Sequence, residues 1–151
     1  MNSSNIKEVM KQLLEELDKA SEVLHYSYKK CSDIGLKPDM TNDELESFEA
    51  LTSRFARLSD IIIQKILRYF DILDLENEGT VRDRINRAEK KRIINSADEF
   101  IEIRILRNEI AREYKAQTVY EIYESALSLT PVLLKSVDNI YSYSSKYQWN
   151  N

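Results

Sequence analysis

Glycine and proline are nearly absent, with two of each in 151 residues, where average proteins carry roughly 7% and 5%. Sandwiches, barrels and Rossmann-type sheets spend both residues on their many turns, so these folds are excluded. A glycine-rich phosphate loop is excluded with them. The single cysteine, Cys31, has no partner within the chain for a disulfide, which reads as a cytoplasmic protein. One histidine, His25, leaves no His/Cys cluster for zinc, and no metal or cofactor motif is found. No apolar run reaches membrane-spanning length, and the opening MNSSNIKEV has no apolar signal segment. What is there is 32% charged and 42% hydrophobic residues, the composition of a folded, patterned domain. Its length fits one domain spanning 1–151.

Charge is unevenly placed. The net charge is −4, yet residues 80–115 carry 10 basic and 7 acidic side chains, while residues 1–79 carry 10 and 16. An acidic protein thus holds a basic central segment. A solvated helix face explains this as readily as a local anion site does. A general DNA-coating role does not fit this net charge.

Apolar residues recur at helical spacing. Val9, Leu13, Leu17, Leu24, Tyr28 and Cys31 mark a first amphipathic helix, stopped by Gly35 and Pro38. Thr41 to Asp43 offer N-caps for a second, whose stripe from Leu45 through Phe55 and Ile62 runs to about Leu73. Thr80 caps a short basic helix to about Lys91, and Ser96 to Glu99 reads as a capping box opening a fourth. Thr118 caps a fifth, to about Tyr143, in which Pro131 predicts a kink or break near Thr130. The fold class is all-α, an elongated antiparallel bundle of about five helices. The polar-aromatic tail, residues 141–151, is expected to fray.

The fourth helix carries the candidate site. Arg107 and Tyr114 are seven apart and share a face; Asn108 and Arg112 are four apart on the neighbouring one, which Arg104 extends. Guanidiniums around an amide and a phenol form a phosphate cradle. Surface Arg–Glu pairing is the plainer alternative. On the second helix Arg57 is three residues from Asp60, so a local ion pair is expected; otherwise Arg54 or Arg57 faces the Arg107 cleft and adds anion affinity. The basic third helix reads as a solvated cap over the bundle. His25 is expected to be partly buried and hydrogen-bonded, and Cys31 a packing residue.

The runs Arg82–Lys90, Ser96–Phe100 and Ile103–Tyr114, with the second-helix text Phe48–Asp60, resemble the HEPN superfamily, more narrowly the HepT-like toxins encoded beside MNT-type nucleotidyltransferase antitoxins. The resemblance covers most of the chain from the second helix to the fifth. It implies an all-helical homodimer with its motif, an arginine followed after four to six residues by histidine, in a cleft at the dimer interface. It also implies metal-independent endoribonuclease activity and RNA and nucleotidyltransferase partners. Arg107 matches the motif arginine, Asn108 the polar residue beside it, and Tyr114 the tyrosine that the antitoxin modifies with AMP. The histidine position is held by Arg112. Proton transfer in metal-free cleavage needs a pKa near working pH; histidine has one, whereas arginine stays charged. Three accounts fit this departure: a natural member of weakened or lost activity, a substitution at 112 that spares an expression host, or proton transfer by His25, Tyr114 or Glu113. A non-catalytic dimeric module that binds a nucleotidyltransferase or its nucleotide is the alternative function.

Overall fold

A computed structural model describes residues 3–112 and 116–147; these lie in helices and the turns joining them, with no strand among the described residues. Helix α1 is Ser3–Ile34, α2 Asn42–Asp60, α3 Leu67–Leu73, α4 Val81–Lys90, α5 Ala97–Ala111 and α6 Ala116–Ser144. A π-helical segment, Ile61–Ile66, joins α2 to α3 without leaving right-handed helical backbone, so the two form one rod and the bundle has five. At 1.5 Å per residue α1 is about 48 Å long, which makes the bundle elongated.

Sequence dictates the ends of these rods. Thr41 and Glu44 form a capping box: the Glu44 N–H donates to Thr41 Oγ1 (3.2 Å) and the Thr41 N–H to Glu44 Oε1 (2.9 Å). Thr80 and Asp83 repeat it at α4, with 3.1 and 2.8 Å. Gly79 stands beside that box at φ +96°, and an added Cβ would both strain the backbone and push the Asp83 carboxylate out of the cap, so glycine is favoured there. Ser96 keeps half of the expected box, accepting from the Glu99 N–H (3.2 Å); the Ala97 N–H instead donates to Glu89 of α4 (2.7 Å), which ties α5 to its neighbour.

Contacts across α1 and α2 define their direction. Cys31 donates to the Ser47 carbonyl, Arg54 reaches Val23 and Ser27, and Lys65 meets Glu16, so rising numbers on one helix face falling numbers on the other. The pair is the antiparallel hairpin expected from the sequence. Helix α6 runs beside both: Phe48 stacks on Tyr123 at 5.1 Å, and Tyr141 bonds Leu14 and Asp18 of α1. Phe48, Phe55, Phe70 and Phe100 are fully buried in one continuous apolar core drawn from every helix.

Four local expectations are corrected. Helix α6 runs through Pro131 without a break; Thr130 is fully buried there, its hydroxyl donating to the Ala126 carbonyl (2.6 Å). The helix opens at Ala116, ahead of Thr118, whose side chain lies outside the description. The tail from 141 does not fray within the described part: helix continues to Ser144, a 3₁₀ turn covers Ser145–Tyr147, and Tyr143 and Tyr147 pack on Phe70 (4.9 and 5.9 Å). Trp149 lies outside the described residues. The basic α4 is a solvated cap only on its outer side, where Arg82 and Lys90 are exposed; Arg87 donates to both Asp71 oxygens (3.3 and 2.8 Å) and holds α4 against α3.

Candidate functional site

Phe100, Ile103 and Leu106 are buried, and together they set the rotation of α5. That rotation carries Arg104, Arg107 and Asn108 onto the flank facing the junction of α2 and the π segment. There they line a cleft of about 420 Å³ together with Ser59, Asp60, Gln64 and Lys65. Arg107 grips Asp60 with both arms, Nε to Oδ1 at 2.7 Å and Nη2 to Oδ2 at 2.9 Å. This fork-on-carboxylate geometry is the strong form of the ion pair. Hydrogen bonding to Asp60 raises the Arg107 pKa, with burial opposing it. Asp60 and Lys65 also line a second cleft, of about 550 Å³, with Glu16, Lys19 and Arg57. The Asp60–Lys65 turn of helix therefore separates two grooves, each with charged residues in its lining.

The expected Arg57–Asp60 ion pair does not form. Asp60 is taken by Arg107, 47 residues away, because the guanidinium from α5 meets the carboxylate edge-on. Arg57 is exposed and lines the second cleft, not that of Arg107. Arg54 is turned the other way: its Nη1 donates to the Val23 carbonyl (3.1 Å) and to Ser27 Oγ (2.8 Å) on α1, beside a separate groove with Tyr26 and Lys30. The second helix thus contributes neither arginine to the Arg107 cleft.

Helix α5 ends at Ala111, and Arg112 is its exposed C-cap, with extended backbone (φ −88°, ψ 156°). Within the described residues the α5 backbone stops being helical there. Tyr114 and Glu113 lie outside the described residues. His25 is exposed on α1, not partly buried as expected, and lines none of these three grooves. Cys31 is buried, and burial pushes its thiol up to about 11, against a smaller opposing effect of Lys30, so it stays a protonated packing residue. Among the described residues no group of His, Cys, Asp or Glu could hold a metal ion, and no helix is long and apolar enough to cross a membrane.

Sequence reading overlooked Asp60 as the partner of Arg107, and Gln64 and Lys65 as lining. Their one local signal is the break of period at Ile61-Ile62-Ile63, where three apolar residues in a row do not fit a single α-helical stripe. The π segment absorbs that run and buries all three. Such insertions are frequent at functional sites. No family model matches the chain, and neither a curated protein nor a solved structure matches it.

Proposed function

We propose that this protein is a HEPN-type, HepT-like toxin component directed at RNA, acting as a homodimer with a nucleotidyltransferase partner. The observation that carries the reading is the gathering of Arg104, Arg107 and Asn108 in one cleft, within the stretch of sequence that resembles the motif of that family. Two guanidiniums and an amide in one groove suit a phosphodiester. Arg107 and Arg104 supply positive charge to the phosphate oxygens, Asn108 donates to one of them, and Asp60 holds the Arg107 fork at its post until RNA arrives. Arg112, at the helix end, adds charge to the same strand. Tyr114 is the proposed acceptor of AMP: its hydroxyl oxygen attacks the α-phosphorus of ATP, its proton leaves to solvent, and pyrophosphate departs.

Two copies meet, in this reading, through the outer face of α5. Ile103 and Leu106 of that helix face inward, Ile101 packs against the core from its edge, and Ile105 stands outward. Ile105 is 54% exposed in the single chain.

Cleavage without metal proceeds by attack of the RNA 2′-hydroxyl on phosphorus with departure of the 5′-oxygen, and needs one proton removed and one supplied. Arginine at 112 stabilises the charge of that transition state but transfers no proton. Positioned general acid–base groups contribute on the order of a hundred- to ten-thousand-fold. RNA cleavage is therefore expected to be weak in this chain, to rise by that order in Arg112→His, and to vanish in Arg107→Ala. No gain in Arg112→His, with Arg107→Ala altering neither RNA cleavage nor binding, removes the site assignment. A non-catalytic module is the second reading, favoured by the absence of histidine from the residues lining the cleft. It is upheld if the nucleotidyltransferase co-purifies while RNA stays intact even with histidine at 112.

A further inference from the structure

Beyond the Arg107 cleft, positive charge continues along the same side of the molecule onto α3 and α4. Arg84 of α4 lays its guanidinium on the π segment: Nη1 donates to the Ile63 carbonyl at 3.1 Å and to Gln64 Oε1 at 3.4 Å. The π geometry supplies that acceptor, since the Leu67 N–H that would close an α-turn on Ile63 bonds Ile62 instead. Gln64 in turn lines the cleft with Arg104. Arg68 follows on the first turn of α3.

These charges are short of counter-ions. The carboxylate near Arg84 is Asp71, 3.8 Å away, and it is already held by Arg87 at 2.8 Å and approached by Lys91 at 3.8 Å. Arg68 and Arg104 are exposed, and neither has a carboxylate at ion-pair distance among the described residues. Burial lowers the pKa of Arg84, Asp71 opposes it, and the like charges of Arg68, Arg87 and Arg104 lower it further. Arg84 bonds Gln64, Gln64 lines the cleft with Arg104, and Arg68 follows Gln64 by four residues, so arginines from three helices are placed around one glutamine, a concentration of like charge that a bound anion relieves.

We propose that Arg68, Arg84 and Arg104 form a phosphate-binding subsite for the RNA backbone next to the Arg107 cleft. The subsite rests on the RNA reading above and adds the track by which the strand is held beside the reacting phosphate. Arg84 is anchored at the floor by Ile63 and Gln64, while exposed Arg68 and Arg104 close on the phosphate oxygens from either side. RNA is favoured over a protein carboxylate by the continuity of this track with a groove already lined by Arg107 and Asn108.

The test is binding of a 12-nucleotide mixed-sequence single-stranded RNA, followed by fluorescence anisotropy across a salt series. Arg68→Ala and Arg104→Ala avoid the half-buried Arg84 and leave the fold intact. Each is expected to weaken binding about three- to tenfold and to reduce the slope of log K against log salt by about 0.7, the value for one phosphate contact on a single strand. Arg82→Ala, exposed on the same α4, is expected to change neither. Tripolyphosphate is the second probe, read by the Nε–Hε resonances of the arginines. Unchanged affinity and slope in Arg68→Ala and Arg104→Ala, with RNA binding still lost in Arg107→Ala, overturns the subsite and leaves the proposed function standing. Tripolyphosphate shifting Arg68 and Arg104 while RNA fails to bind at any salt overturns RNA as the occupant, and the proposed function with it. Neither probe binding removes both.

Discussion

Asp74, at the end of α3, collects more partners than any single local rule provides. Lys91 meets it at 2.8 Å and Lys146 at 3.1 Å, and the hydroxyls of Tyr143 and Tyr147 donate to its two oxygens. Burial alone pushes its carboxyl up, but hydrogen bonds from Lys91, Tyr143, Tyr147 and Lys146 outweigh it and hold the group well below the usual carboxylate range. The folded pKa is therefore below the unfolded value of about 3.9. The stabilisation is complete above that value and is lost as pH falls toward the folded pKa. Leaving the partners of a partly buried charged group unsatisfied costs about 1–3 kcal/mol. Asp74→Asn is expected to lose about that much at neutral pH, and less at pH 3, when urea unfolding is compared with the parent chain. An equal loss at both pH values removes the linkage.

Turns between helices show where element ends were paid for in backbone strain. Leu75 and Arg92 both sit at positive φ, 60° and 61°. Each closes a Schellman-type end: Glu76 N–H to the Asp71 carbonyl at 2.8 Å, and Ile93 N–H to the Ala88 carbonyl at 2.9 Å. Left-handed backbone costs an ordinary L-residue about 1–2 kcal/mol, and glycine avoids that while adding unfolded-state freedom. Leu75 is 89% exposed, so its side chain has almost no packing to lose. Leu75→Gly is expected to stabilise by about 0.5–1 kcal/mol, visible as a rise of about 2 °C in Tm. At the other end of the scale of fit, α6 tolerates Pro131 as an exposed residue of a helix whose opposite side, Ala126, Leu133 and Ile140, is fully buried. Packing along that side outweighs one missing hydrogen bond, which is why the break expected from proline does not occur.

One apolar core runs through the described residues, and the first and last long helices are joined beside it: Tyr141 of α6 bonds Leu14 and Asp18 of α1, more than 120 residues away in sequence. The proposed dimer adds one test at this scale. Ile105→Glu changes a side chain already half in solvent, so the single chain keeps its helical content, and the mass in solution at micromolar concentration is expected to fall from two copies to one. An unchanged mass, or a parent chain that is already single, removes the α5 interface. The helices and their order could be read directly, because apolar spacing, Thr41, Thr80 and Ser96 act within a turn of where they stand. The docked tail, the anchoring of Arg54 on α1 and the inward pairing of α4 could not, since each depends on a residue from another helix. Arg107, Asn108 and Arg104 were recognisable as a group by periodicity on one helix. Asp60 as the partner of Arg107 was decided only by folding, which set two helices 47 residues apart in register. Helical period is a property of neighbours along the chain, whereas an ion pair goes to whichever carboxylate the packed core brings to the guanidinium in the better geometry.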